Sequence, residues 1–344
     1  MPVLGLDLGN CHFRAVELSL SKGKVVLDKF GSYQNPKLNI ESQSDEDLNK
    51  YADALKTFIA ESGFGTTSVV TAIPESEVFT RVIKLPQMSE KDLRSSIAFE
   101  AEQYIPLPIK EVSFDFQVID SDILDKDKMN VLLVAAKKTV LTKYVGLLKK
   151  AKLVPKGLEP ETLAVSRVLG DTPERPSASV ISAIGSENTE IIVVYKGAVR
   201  FTRTISIGGS ALTRAISQSL NFEFSQAEEY KKTYGMETTQ ADGKVYNALK
   251  PVIDNILNEI RRSRTFYTTH NPNVIINRLI ISGGTALMPG LVFYIANNLD
   301  LEVELANPWR NIVISQKLES QKELLMQQGS AFVTSVGLAM KELK

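Results

Sequence analysis

The feature that most constrains this chain is a pattern written twice. Val3 to Gly9 alternates, with Leu4, Leu6 and Leu8 on one face and Gly5, Asp7 and Gly9 on the other, as a strand requires. A tight turn at Asn10-Cys11 leads into a second strand, Phe13 to Leu20, and Gly23 turns the chain into a third, Val25 to Ser32. A helix follows, with Leu48, Tyr51, Leu55, Phe58 and Ile59 along one side. Far downstream the plan returns. Ala178 to Ile184 runs into Gly185, Glu190 to Tyr195 makes a second strand, Lys196-Gly197 a turn and Val199 to Ile205 a third strand, and Gly208-Gly209 opens a helix from about Ser210 to Leu220. Two copies of strand, glycine turn, strand, turn, strand and helix predict an α/β chain folded as two related lobes.

Between the copies lies a segment of different texture, about Pro86 to Lys152. Ser89 to Asp92 reads as a capping-box start for a helix carrying Leu93, Ile97, Ala101 and Tyr104, stopped by Pro106 and Pro108. Phe114 to Ile119 and Asn130 to Ala136 read as a hairpin around a polar loop rich in Asp and Lys, and a helix from about Thr139 to Lys150 closes a small α+β insert. After the second meander, Ser225 is the expected N-cap of a helix through Lys232, and a long helix runs from about Val245 to Tyr267. A buried strand, Leu279 to Ser282, leads to Gly283-Gly284-Thr285, and a last helix covers about Leu324 to Leu343. The expected division is residues 1–85 as a first core domain completed by a C-terminal helix at 324–344, 86–152 as the insert, 153–209 with 271–323 as a second core domain, and 210–270 as a helical upper subdomain.

Charge and composition narrow the function. Lys+Arg and Asp+Glu both number 40, so no global field gathers nucleic acid or an anionic membrane, and no nucleic-acid partner is expected. The single cysteine, Cys11, can form no intramolecular disulfide, which fits a reducing compartment. Cys11, His12 and His270 make no metal-ligand spacing. Met-Pro runs straight into a strand-like segment, so no signal peptide is expected. Apolar runs such as Ile191 to Tyr195 are far too short to span a bilayer, so any membrane attachment is expected through a partner.

Three glycine-bearing elements could carry chemistry: Asp7-Leu8-Gly9-Asn10, Ile184-Gly185-Ser186 and Ser282-Gly283-Gly284-Thr285. Each alone is an ordinary turn. Two of them, however, fall at matching places of the repeat and the third follows a buried strand. Glycine lets backbone N–H groups approach an anion, a carboxylate can hold a hydrated Mg²⁺, and a helix N-terminus favours phosphate. Two facing glycine hairpins between duplicated lobes resemble the phosphate clamp of the actin, sugar kinase and DnaK-type chaperone superfamily, with its actin-like, ribonuclease H-like ATPase fold.

Within that superfamily the chain resembles the type IV pilus assembly family PilM and, more distantly, the cell-division actins of the FtsA branch. Gly5 to Gly9 with Phe13 to Leu18 is similar to the family's opening phosphate motif. Leu85 to Met88, Glu102 to Pro106 and Val112 to Asp115 resemble its insert entry, the most specific part because kinases and chaperones lack it. Gly157 to Glu161, Arg203 to Gly209, Glu228 with Lys231, Glu259 to Ser263, and Gly329 through Gly337 to Ala339 carry the likeness to the far end.

The resemblance implies roles. Asp7 would support Mg²⁺ through water, and the backbone of Gly9, Asn10 and Cys11 would bind phosphate. Arg14, seven residues after Asp7 and a place where the family often has Lys, would reach back to a β-phosphate. Gly185 and Ser186 would clamp the γ-phosphate side, Glu228 and Lys231 would lie by the ribose and base, and Gly283, Gly284 and Thr285 by the adenine and phosphates. Glu159 is the candidate for a catalytic polar residue facing the cleft. One departure stands out: the second phosphate motif, usually Asp-x-Gly, reads Ala183-Ile184-Gly185. A carboxylate that would help place the metal and the attacking water is missing, so binding is expected to survive better than hydrolysis. The alternative is that Ala183 is simply a strand residue and Mg²⁺ is held through Asp7 and waters.

The expected function is therefore a cytoplasmic, ATP- and Mg²⁺-binding scaffold, at most a slow ATPase, peripheral to the inner membrane. By resemblance it would take the N-terminal peptide of a PilN-like inner-membrane protein in a groove between the first core domain and the insert, and would meet other pilus assembly components. The rival readings are a small-molecule kinase, which would need an acceptor-side carboxylate base, and an FtsA-like filament former. The latter usually adds an amphipathic membrane-targeting tail, whereas this sequence stops at Lys344.

Overall fold

The structure is a computed structural model that describes residues 3–36, 38, 40, 42, 44–121, 127–170 and 178–343. Strands β1 (Val3–Leu8), β2 (His12–Ser21) and β3 (Lys24–Gln34) form the first antiparallel meander. Helix α1 (Asp45–Ser62) follows, capped by Ser44, whose side chain accepts from the Asp47 amide, and ended by Gly63 in the left-handed region at φ 61°. β4 (Ser68–Ile73) then lies parallel to β1. β5 (Val78–Pro86), α2 (Glu90–Glu102), β6 (Val112–Ser121), β7 (Lys128–Lys137) and α3 (Lys138–Lys150) make the insert, and β8 (Val154–Pro160) returns to pair parallel with β4.

Helix α4 (Glu161–Leu169) crosses to the second meander of β9 (Ala178–Ile184), β10 (Thr189–Tyr195) and β11 (Ala198–Ile205). Helices α5 (Gly209–Leu220), α6 (Phe224–Tyr234) and α7 (Lys244–His270) precede β12 (Ile276–Ser282), α8 (Leu291–Asn298) and β13 (Glu302–Leu305). The chain then goes back to the first sheet with β14 (Ile312–Ile314), α9 (Lys322–Gln328) and α10 (Val333–Met340).

The first sheet runs β14-β3-β2-β1-β4-β8 and the second β11-β10-β9-β12-β13. Without β14 the two orders coincide, so the repeat read from the sequence is a repeat of sheet topology. Helices α1 and α3 cover one face of the first sheet, where Tyr51, Leu55, Phe58, Tyr144 and Leu147 pack on Leu4, Leu6 and Phe13. Each fully buried side chain of this size contributes roughly 1.5–3 kcal/mol. On the other face, Phe332, Val336 and Ala339 meet Val16, Leu18 and Leu27. The second sheet carries the largest core, under α5, α7 and α8.

The two helices that link the lobes, α4 and α10, touch backbone to backbone. A Cβ on Gly337 would overlap the carbonyl oxygen of Ala164, so this crossing admits only glycine.

Three local readings change. β5 pairs antiparallel with β7 along its whole length, so the insert sheet is three-stranded, β5-β7-β6, rather than a hairpin beginning after Pro86. Only Ile83 and Leu85 of β5 are buried, too few to make its alternation visible among Thr80, Arg81 and Lys84. Ser225 lies inside α6, whose N-cap is Glu223. The closing helix is broken by a 3₁₀ turn at Gly329–Phe332 between α9 and α10. Most of the polar loop between β6 and β7, residues 122–126, lies outside the described residues.

Candidate functional site

The two hairpins are built alike. Register places Asp7 opposite Arg14 across β1 and β2, and Ala183 opposite Glu190 across β9 and β10. Directly opposed residues of an antiparallel pair project from the same face. Asp7 and Ala183 each stand two residues before a turn glycine, Gly9 and Gly185. The first hairpin thus presents a carboxylate on its first strand and a cation on its second, while the second presents its carboxylate on the second strand.

The first turn is pinned by buried Asn35, whose backbone amide donates to the Cys11 carbonyl at 2.9 Å and whose side chain donates to the Gly9 carbonyl at 3.3 Å. Asn10 and Cys11 are exposed at its tip. In the second turn, the Gly185 amide donates to Asn188 O (2.9 Å), the Gly209 amide to Gly185 O (2.9 Å) and the Ser210 amide to Ser186 O (2.7 Å). The glycine amides at 185 and 209 therefore close the turn and seat α5 on it.

Lys231 is the hub beside this turn. It is buried, and its Nζ donates to Gly209 O (2.9 Å), Thr213 Oγ1 (2.9 Å) and Glu228 Oε2 (2.6 Å). Thr285 Oγ1 donates to Gly185 O at 3.2 Å, tying the third glycine element to the second. Gly283 has φ 91°, and a Cβ there would overlap Ile184 O; its amide donates to Ser330 O at 3.0 Å.

The lobes meet across this space. A Cβ on Gly284, in the second lobe, would lie 3.7 Å from Arg14 Nη2 in the first. His12 is driven down to about 4 by burial, then by the charges of Arg14 and of Lys232 on α6, with Glu228 opposing. It is therefore neutral at pH 7. The third glycine element thus touches the second turn and comes up to Arg14 of the first lobe, and the Glu228–Lys231 pair lies beside the second turn.

Three carboxylates that sequence reasoning missed join Asp7. Glu75 follows β4, Glu161 opens α4 and Glu190 lies on β10. The carboxyl groups of Glu161 and Glu190 are hydrogen-bonded to each other, so one carries a proton. Glu75 accepts from Thr162 Oγ1 at 3.0 Å. Glu75 also faces the Thr80 hydroxyl, whereas Glu190 Oε2 has no hydrogen-bond partner although the residue is only 6% exposed.

Burial raises all four pKa values. Asp7 reaches about 6 against the opposing charge of Arg14, and Glu161 and Glu190 are raised further by Asp7 and Glu75. Among the described residues no three such groups are close enough to chelate an ion directly. Glu190 had a signal in the sequence: it lies seven residues after Ala183, as Arg14 does after Asp7.

Glu159 lies elsewhere. Its buried carboxylate makes a two-pronged pair with Arg167 (2.6 and 2.9 Å) and a longer one with Lys341 (3.3 Å), and Arg167 also donates to Gly337 O at 2.6 Å. It binds α4 to the α10 end of the chain.

The type IV pilus assembly protein PilM family matches residues 5–343. The solved PilM-PilN type IV pilus biogenesis complex contains a chain similar over 99% of this one and 98% of its own length, at 27% identity and a TM-score of 0.85. Cell division protein FtsA of Neisseria meningitidis serogroup B (strain ATCC BAA-335 / MC58) is 23% identical over 204 residues, 52% of this chain and 46% of FtsA, so the match spans about half of that relative. MreB 5 of Spiroplasma citri bound to AMPPNP shares the fold over 99% of this chain and 96% of its own, with a TM-score of 0.54 at 13% identity. The duplicated actin-like fold expected from the sequence is the fold found.

Proposed function

Because the chain belongs to the type IV pilus assembly protein PilM family, we propose that it is a nucleotide-binding scaffold of the pilus assembly machinery that captures the N-terminal cytoplasmic peptide of a PilN-like inner-membrane protein. The observation that carries this reading is the likeness, along nearly the full length of both chains, to the PilM-PilN complex. The two sheets with their helices act as core domains; β8 (Val154–Pro160) and β14 (Ile312–Ile314), placed in the second core by the sequence division, pair in the first sheet, and the insert takes β5 from before residue 86. Among the described residues no helix is long and apolar enough to cross a membrane. In this reading the protein is cytoplasmic and reaches the inner membrane, and other pilus components, through its partner.

The ligand of the cleft is ATP with Mg²⁺. The residues present fit it: buried Glu190 has an acceptor oxygen without a partner that suits a cation, and Arg14 with the two turn backbones suits phosphates. Asp7 holds the hydrated metal, which would supply charge neutralisation at the phosphates. The backbone from Gly9 to Cys11 takes phosphate oxygens on one side, and Ser186 with Gly284 and Thr285 takes them on the other. The Gly185 and Gly283 amides are committed within the protein, so those glycines serve by shape. Arg14 neutralises the β-phosphate, and Glu228 and Lys231 shape the ribose and base end.

Hydrolysis is slow or absent. The nucleotide acts as an ordering ligand, and at about 100 times its dissociation constant it favours the state it selects by roughly 2.7 kcal/mol.

The test is calorimetric titration with ATP·Mg²⁺, followed by capture on an immobilised PilN-like N-terminal peptide with and without nucleotide. Binding of both with negligible turnover is the expected result. Rapid turnover with a small acceptor supports a kinase instead, and long filaments with ATP support the FtsA-like reading.

A further inference from the structure

We propose that Glu190 supplies, from the second strand of its hairpin, the second-lobe carboxylate that position 183 lacks, and that it faces the hydrated cation bound with nucleotide. The inference rests on the nucleotide reading and adds a residue and a role to it.

Three observations carry it. The first is register: Glu190 is the direct cross-strand partner of Ala183, so its side chain leaves the sheet on the face where an aspartate at 183 would project. The second is an open valence. Glu190 is 6% exposed, yet its Oε2 has no partner, and a buried acceptor without one is costly unless a ligand completes it. The third is convergence. Glu190 meets Glu161 from the start of α4, while the charge of Glu75, from the other lobe, acts on both, its carboxylate held by Thr162 and Thr80.

The experiment moves the carboxylate across the strand. Nucleotide affinity is measured with Mg²⁺ and in EDTA for wild type, Glu190→Gln, Ala183→Asp and the double variant, with Mn²⁺ binding followed by electron paramagnetic resonance. Affinity in EDTA and the melting temperature report folding. In Glu190→Gln the enhancement by Mg²⁺ should fall about tenfold, the loss expected for one charge-assisted contact. In Ala183→Asp/Glu190→Gln it should return toward wild type. If wild type shows no nucleotide binding at all, the parent reading fails. If wild type binds with a clear Mg²⁺ dependence that Glu190→Gln retains, or if the double variant recovers nothing, the assignment of Glu190 is overturned and the parent reading stands.

Discussion

Arg200 of β11 reaches from the second sheet to Asp120 of β6 in the insert, and its two terminal nitrogens meet the two carboxylate oxygens at 2.8 Å each. The Arg200 side chain is 6% exposed, and Asn130 also donates to Asp120 at 3.1 Å. The pair sits beside a shared apolar layer in which Val82, Leu132 and Val134 of the insert pack with Ile181, Ile192 and Val194 of the second lobe. The insert, carried on the first lobe's chain, is therefore docked on the second lobe. Asp120→Ala leaves a buried guanidinium unpaired and should destabilise the protein by about 3 kcal/mol. Urea denaturation reads the loss, and hydrogen exchange should place it in β6 and β11. A loss confined to a few tenths of a kcal/mol would show that the pair is not needed for docking.

The carboxylate cluster sets a pH dependence. Asp7 titrates near 6 in the folded protein against 3.8 as its ordinary value, so the folded state binds more protons than the unfolded one between them. Its contribution is fully present below about 4 and is lost as pH rises through about 6, worth at most about 3 kcal/mol. His12 runs the other way. Depressed from 6.5 to about 4, it contributes stability above 6.5 that is lost as pH falls through 4. His12→Asn removes the opposing slope, so its ligand-free melting temperature should fall more steeply than wild type between pH 4 and 7. A differential scanning fluorimetry series checks this, and parallel profiles for the two proteins would refute it.

Asp7→Asn should show a two-sided signature. Removing one charge from a buried acidic cluster should raise the ligand-free melting temperature at pH 8. It should also weaken Mg²⁺-dependent nucleotide binding tenfold or more, if the lost contact is worth about 1.4 kcal/mol or more. Unchanged affinity in titration calorimetry would remove Asp7 from its assigned role.

Lys231→Met tests the hub beside the second turn. The substitution removes the nearest cation from the Glu228 carboxylate, which burial raises but hydrogen bonds from Lys231 and Thr213 hold low, and leaves it the Thr213 hydroxyl and Lys232 at 3.6 Å. It also takes one of two side-chain donors from the Gly209 carbonyl, leaving the Thr213 hydroxyl. Destabilisation of roughly 2–4 kcal/mol is expected from chemical denaturation. Weaker nucleotide binding should accompany it.

Two glycine-to-alanine changes should act with opposite sign. Gly337→Ala drives a methyl group into Ala164 O and must separate α10 from α4, at a cost of about 1–3 kcal/mol. Because α4 begins at Glu161, ligand affinity should suffer too. Gly146→Ala, inside α3 with nothing within 4 Å of the new methyl, should stabilise by about 1 kcal/mol. Thermal melts of the two variants decide the matter.

What could be read from the residues alone followed local rules. Alternation exposed both meanders, Ser89 announced α2 through a real cap that accepts from the Asp92 amide at 3.2 Å, and the second and third glycine elements touch through Thr285 and Gly185. What stayed hidden depends on partners distant in the chain. β5 buries two side chains only, and β8 is recognisable only once β4 lies beside it. Glu75, Glu161 and Glu190 stand far apart in sequence and acquire meaning by convergence. Attention to the missing acid at 183 passed over the acid facing it, because the face a residue shares depends on hairpin register and not on motif position. Glu159 has the right chemistry but is taken by Arg167, a pairing set by the helix after β8.

The return of the chain to its first sheet has a consequence for synthesis. Residues 178–305 leave the ribosome as one uninterrupted run that contains every strand of the second sheet. The outermost strand of the first sheet and the helix that seals its far face, Ile312–Ile314 and Val333–Met340, emerge only near the end. At roughly 5–20 residues per second, the roughly 300 residues from the first meander to these elements take on the order of 15–60 s. The half made first is therefore finished last. Until then Val16, Leu18 and Leu27 lie bare, so translation arrest or truncation beyond about residue 305 should yield a nascent chain with a sound second half and a sticky, chaperone-dependent first.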